Sequence, residues 1–178
     1  MTFITFALYL LIMEDIHIDK EKAIKAYSDM SPAEFITYVT DFYLDELGGV
    51  LTPDNMSRLN AHQHSLLAYR YVLDEVMEGG WIQLIENGYA PYVLEGPFPV
   101  AVKKLWGRKD FSKLLFNVQH EYKAHRGEFE KEKTEEDFMA LYEQLEKLND
   151  YGDDFLDDFQ EKESPEIAKI VIDNLELF

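Results

Sequence analysis

The sequence predicts an all-α protein, a single globular multi-helix domain with short connections and no internal repeats. Three observations carry that prediction. Apolar residues recur at steps of three and four along most of the chain, helix-start signatures punctuate it, and no stretch alternates with period two over strand length. At 178 residues there is room for one domain with a real core. A composition of 47% apolar and 14% aromatic residues is that of a folded chain, not of a disordered acidic tail.

The elements follow in order. MTFITFALYLLI, residues 1–12, is too short an apolar run to span a bilayer. It has no Lys or Arg before it and no small-residue cleavage site after it, unlike a signal peptide. MEDIHIDKEKAIKAY, from Met13, reads as a natural cytosolic start, so residues 1–12 are expected to be a non-native extension or a short packed one. Residues 13–54 are expected to supply N-terminal helices that pack as one unit with 55–178. Ser31-Pro32-Ala33-Glu34 is a capping box with proline at the first helical position, opening a helix with Phe35, Val39, Phe42 and Leu47 inward and Gly48-Gly49 at its end. Thr52-Pro53-Asp54 is expected to open the next, carrying Leu59, Leu66, Leu67, Val72, Leu73 and Val76 up to Gly79.

Two glycines in a helix interior cost roughly 1 kcal/mol each relative to alanine, so Gly79-Gly80 marks a corner. A short helical piece follows from Trp81 to Glu86, closed by Asn87-Gly88. Tyr89–Pro99, with Pro91, Pro97 and Pro99, is a structured connection. Helices are then expected over Val100–Trp106 and from Asp110 to about His125, the latter with Phe111, Leu114, Leu115, Val118 and Tyr122 inward. Thr134 caps a helix containing Phe138, Leu141, Tyr142, Leu145 and Leu148. Asp153–Gln160 reads as a short acidic helix, and Ser164-Pro165-Glu166 as the start of the last one, with Ile167, Ile170, Val171 and Leu175.

Much familiar chemistry is missing from the pattern. There is no cysteine, hence no disulfide, thiolate metal site or thiol nucleophile, which suits a reducing cytoplasm. No phosphate-cradling glycine loop, G-x-S-x-G elbow or H-E-x-x-H helix appears. His62 and His64 are two apart and point in different directions on a helix, and His120 and His125 are also poorly spaced for a metal. The run from Asp150 to Asp158 lacks the alternating ligands and central glycine of a calcium loop. We therefore expect no cofactor, no metal and no catalytic residues.

What stands out is charge. The formal net charge is -18, from 35 carboxylates against 17 Lys and Arg, where a magnitude of about 2–8 suffices to keep a small domain soluble. Such a field repels nucleic acid and anionic membranes and attracts basic surfaces; an acidic proteome or a halophilic habit is the plain alternative. In the segment DDFLDDFQE, Phe155 and Phe159 mark the buried stripe. Asp150, Asp153, Asp154, Asp157, Asp158 and Glu161 are then candidates for an outward array. Residues four apart rise about 6 Å along a helix, of the order of the spacing of phosphates along one strand. Asp153 and Asp154 can be explained by the helix macrodipole, the others less well, and a plain solvated face is the competing reading.

The stretch Val76-x-x-Gly79-Gly80-Trp81-x-Gln83-Leu84-x-x-Asn87 resembles the core motif of the family built around the C-terminal domain of the neisserial DNA-mimic protein. Upstream, Leu59, Gln63 and Glu75-Val76 extend the likeness. Downstream, Ala101 to Val118 around LWGRKDF, and Asp154-Phe155 through Phe178, extend it to roughly residues 55–178. The departure is Leu84, where an aromatic is common, which should alter packing only. The resemblance implies an all-α fold and, from the namesake, carboxylates that imitate the phosphate backbone and occupy a transcription factor's DNA-binding face. It does not transfer individual mimic carboxylates, because the shared motif contains none.

In this motif Gly79 and Gly80 are expected to let two helix segments meet closely, Trp81 and Leu84 to plug the core, and Gln83 and Asn87 to satisfy backbone groups freed at the break. The leading functional expectation is a non-enzymatic, cytoplasmic, bacterial binding protein. Its partner would be a basic protein, a DNA-binding transcription factor or nuclease, with no direct contact to nucleic acid or membrane and with a homodimer left open. One alternative is an immunity or antitoxin-like inhibitor of a basic nuclease toxin; another is a small-ligand or enzymatic cleft near Trp81, Gln83 and Tyr89.

Overall fold

In the computed structural model, which describes residues 16–178, every regular element is helical. The expectation for residues 1–12 lies outside the described residues. Helix α1 (Lys20–Asp29) starts where the Asp19 side chain accepts from the Lys22 N–H. Helix α2 (Pro32–Glu46) carries the expected capping box: Ser31 and Glu34 each accept from the other's backbone N–H, and Pro32 opens the helix. The helix turns Phe35, Ile36, Val39 and Tyr43 inward, while Phe42 is only half-buried.

Thr52-Pro53-Asp54 does not open a helix. The Asn55 side chain accepts from the Thr52 N–H (2.7 Å) and donates to the carbonyls of Leu47 and Val50, which folds this segment into a turn. Such local side-chain bonds offer the backbone an alternative to the helix. A single 3₁₀ turn, Met56–Arg58, follows, and the true start is Asn60, whose side chain forms a capping box with Gln63. From it runs α3 (Ala61–Glu86), the long central helix. The break expected at the glycine pair is a kink within this one element, with Gly79 at φ -150, ψ 22 and Gly80 at φ 69, ψ -170. Gly80 occupies a region essentially restricted to glycine.

The connection expected over Tyr89–Pro99 contains one turn of helix, α4 (Ala90–Val93), and α5 (Phe98–Lys104) begins two residues before the expected start. Helix α6 (Lys109–Phe129) buries the expected Phe111, Leu114, Leu115, Val118 and Tyr122. Thr134 caps α7 (Glu135–Gln144) as expected, but α7 stops at Leu145, whose φ -109, ψ 51 leaves the helical region. Leu148 belongs to the next helix, α8 (Glu146–Asp154).

The C-terminal third differs most from expectation. Asp153–Gln160 is not a separate helix, and Ser164-Pro165-Glu166 does not start one. Helix α8 passes through a π turn (Phe155–Phe159) directly into α9 (Gln160–Asp173), with Pro165 inside it. The Ser164 hydroxyl, which would have capped, is buried and bonded to the Tyr69 hydroxyl at 2.9 Å. The π turn has a cause in the sequence. Phe155, Phe159, Glu163, Ile167 and Val171 all turn toward the core and succeed one another at steps of four. At 3.6 residues per turn each such step overshoots by about 40°, which would swing the stripe off the core. A π turn accommodates the extra residue and restores the phase.

Helix α3 packs against α8 on one side and α2 on the other, and α9 closes over α2 and α1. Phe155 lies among Trp81 and Phe111, with ring centroids 6.0 and 5.9 Å away, and Phe111 also meets Tyr69 at 5.7 Å.

Candidate partner-binding ridge

The glycine kink and the acidic helix form one structure. Gly152 of α8 faces the kink, where a Cβ on it would meet the Gly80 Cα in ordinary van der Waals contact at 3.7 Å. Trp81, the first residue after the kink, is fully buried, and its Nε1–H donates to the Tyr151 carbonyl at 3.0 Å. The Tyr142 hydroxyl donates to the Gly79 carbonyl at 2.9 Å, and partial burial raises its pKa, so it stays a donor. That bond meets the demand a broken helix leaves on its carbonyls. A half-buried bidentate pair fastens the C-terminal half: Arg108 Nε donates to Glu163 at 2.7 Å and its Nη2 at 2.9 Å.

On this support the six carboxylates expected from the sequence, Asp150, Asp153, Asp154, Asp157, Asp158 and Glu161, are all exposed. They lie on the outward side of the continuous α8–π–α9 run, opposite Leu148, Gly152, Phe155 and Glu163. Asp158 pairs with Lys162 at 3.3 Å, both about two-thirds exposed (67%/67%). The other five have no ion-pair partner among the described residues. At 1.5 Å per residue the array is at most about 16 Å long. The exposed Leu156 stands among these acids.

The motif residues play a part different from the one expected for two of them. Gln83 and Asn87 do not bond backbone groups of the break through their side-chain amides. Gln83 Nε2 donates to Glu75 (3.1 Å) and Glu78 (3.3 Å), and Asn87 Nδ2 to Glu75 (2.7 Å). They hold two further carboxylates beside the kink, which the sequence reading did not single out. A side chain at Gly79 would collide with Gln83, so the glycine makes room for this clasp. Tyr142 and Gly152 were also missed as anchors; a lone glycine inside an acidic helical run was the available signal for close backbone approach.

Of the residues named for a cleft, Trp81 is fully buried and Tyr89 lies against Tyr71 with ring centroids 4.5 Å apart. A hollow of ≈ 230 Å³ lies beside the glycine pair, lined by Met77, Glu78, Tyr142, Asp153 and Leu156. A larger apolar one of ≈ 440 Å³ lies between α3, α4 and α5, lined by Met56, His64, Ala68, Tyr92 and Phe98. His64 is tied there: Nε2–H donates to the Met56 carbonyl (2.9 Å) and Nδ1 accepts from the Tyr92 hydroxyl (2.8 Å). Burial lowers its pKa, keeping the ring neutral. Among the described residues no group of three or more His, Asp or Glu could hold a metal ion, and no helix is long and apolar enough to cross a membrane.

Helical packing around a glycine kink, with an exposed carboxylate ridge fastened to it, defines the class: all-α proteins whose surface chemistry is acidic. Comparison with known proteins makes this specific. A family profile described as DMP19-like protein matches residues 57–174, so the chain belongs to the DMP19-like protein family. It is 33% identical over 72 residues to the DNA mimic protein DMP19 of Neisseria meningitidis serogroup B (strain ATCC BAA-335 / MC58). That stretch is 40% of this chain and spans 43% of the relative's length.

Proposed function

We propose that this protein is a non-enzymatic, cytoplasmic binding protein that occupies the basic, DNA-contacting surface of a DNA-binding protein. One observation carries the reading: five outward carboxylates, without ion-pair partners among the described residues, are held on a helix fastened to the core by Trp81, Tyr142 and Arg108. A DNA-binding protein owes much of its affinity to phosphate contacts and the release of counterions. Carboxylates carried at helical intervals on an ordered backbone can take the place of those phosphates without the cost of ordering the chain that bears them. The family supports the reading through the relative named as a DNA mimic.

The test begins with capture of partners on immobilised protein at low salt, elution by a salt step and identification by mass. A captured DNA-binding protein is then titrated on its own DNA in a mobility-shift assay. Wild-type protein should release the DNA, with a competition that weakens steeply as salt rises. The variant Asp154→Asn/Asp157→Asn/Asp158→Asn/Glu161→Gln should not. Equal competition by that variant rejects the ridge as the binding surface.

A further inference from the structure

The molecule is acidic overall, yet seven of its 17 Lys and Arg lie along α5, α6 and the turn between them. Between residues 100 and 126, Lys103, Lys104, Arg108, Lys109, Lys113, Lys123 and Arg126 are set against only Asp110 and Glu121. Glu121 is buried and engaged by Lys147 at 3.0 Å, while Arg108 and Arg126 are engaged by Glu163 and Glu95. The five lysines are exposed and take no part in any ion pair among the described residues. Asp110 is the one acid of this segment left exposed.

Their arrangement is regular. Lys109, Lys113, Phe116, His120 and Lys123 follow at alternating steps of four and three, and all are exposed. That spacing averages 3.5 residues, the period of a seam between two helices. The opposite side of α6 is the core stripe through Phe111, Leu115 and Val118, so the basic stripe faces solvent. At its midpoint Phe116 is 43% exposed, with Leu105 of the adjoining α5 segment 39% exposed. Scattered apolar side chains on a surface need no explanation. An aromatic centred among cations, at helix-seam spacing, has the make-up of a protein contact with an apolar centre and a charged rim.

We infer that this face docks an acidic amphipathic helix of a partner protein. Its apolar residues would cover Phe116 and its carboxylates would meet Lys109, Lys113 and Lys123, with Lys103 and Lys104 widening the positive field. Duplex nucleic acid fits less well, since a net charge of -18 repels a long polyanion. Single strands are bound on repeated aromatic platforms, whereas Phe116 stands alone on its stripe. A short helix laid on the stripe meets the lysines well within a Debye length, about 10 Å at 0.1 M salt. This inference does not depend on the function proposed for the acidic ridge.

The test is fluorescence anisotropy with a labelled synthetic helix of about three heptads, leucine at the seam positions and glutamate flanking them. The same peptide with lysine for glutamate and a duplex DNA of similar length serve as the other arms. The acidic peptide should bind at 0.1 M salt. Lys109→Gln/Lys113→Gln/Lys123→Gln should lower its affinity about tenfold or more, as loss of several complementary charges does, and Phe116→Ala several-fold. Asp154→Asn/Asp157→Asn should leave it unchanged, which separates this surface from the ridge. Circular dichroism of each variant establishes that the helices remain. Absence of acidic-peptide binding, undiminished binding by a folded triple variant, or preference for either the basic peptide or the duplex overturns the inference.

Discussion

The acidic ridge on α8–π–α9 and the basic stripe on α6 lie on helices that pack against each other, and they are built differently. The ridge is fastened from beneath: Trp81 holds the Tyr151 carbonyl, Tyr142 holds the kink, and Gly152 rests close to Gly80. The stripe is the solvent side of a regular helix whose lysines make no ion pairs among the described residues. Like charges at steps of three and four oppose helix formation, and the ridge concentrates them where a π turn already departs from ideal geometry. Extra fastening appears where the local sequence resists the shape. The stripe needs less, because only Lys109 and Lys113 are four apart, and Phe116 and His120 separate them from Lys123.

This contrast is most easily broken at Trp81. Replacing a fully buried tryptophan with alanine costs about 3–5 kcal/mol through lost burial and the cavity left behind. Trp81→Ala also removes the donor to α8 and the ring against Phe155. If the ridge depends on this anchor, hydrogen exchange should speed up first in residues 146–160, before α6 responds. Uniform loss of protection across both helices would show that ridge and stripe share one fastening. Next in size is Gly80→Ala. With φ 69 and ψ -170 the position suits glycine, and forcing another residue there costs about 1–3 kcal/mol. Denaturant unfolding should report that loss.

How far this was legible in the sequence depends on the range of the interaction. The Ser31 capping box and the Thr134 cap were legible because every participant lies within four residues. So was the outward side of Asp150 to Glu161, marked by the phenylalanines opposite it. The Thr52 start failed because Asn55 reaches back to Leu47 and Val50, and the Ser164 start failed because Tyr69, far away in sequence, takes its hydroxyl. The merging of two expected helices into one was in principle visible: four consecutive steps of four from Phe155 to Val171 fit neither a straight α-helix nor a break. The clasp of Glu75 by Gln83 and Asn87 was hidden, because the kink sets its geometry.

A smaller effect of opposite sign should come from the ridge itself. In Asp154→Asn/Asp157→Asn/Asp158→Asn/Glu161→Gln, repulsion between neighbours is removed, each pair contributing a few tenths of a kcal/mol. One exposed pair, Asp158 with Lys162, is lost against that gain. The melting temperature should rise by about 2–4 °C at low salt, and the rise should fade as salt screens the charges. The same substitutions should abolish competition with DNA, so stability and binding move in opposite directions. A fall in melting temperature would mean that these carboxylates are structural and that the ridge is not a surface held at a cost for binding.

The smallest effect is expected on the stripe, and its smallness is what makes it informative. Phe116 is 43% exposed and lies opposite the core stripe of α6. Lys109, Lys113 and Lys123 have no ion pair to lose among the described residues. Substitutions away from caps, cores and buried pairs usually change stability by less than about 0.5 kcal/mol. Phe116→Ala and Lys109→Gln/Lys113→Gln/Lys123→Gln should both stay within that range in denaturant unfolding. A larger loss would show that the stripe supports the fold, and the lysine pattern would then need no partner. With stability unchanged, any loss of acidic-peptide affinity in these variants belongs to the surface alone, and the two faces of the molecule can be titrated independently with probes of opposite charge.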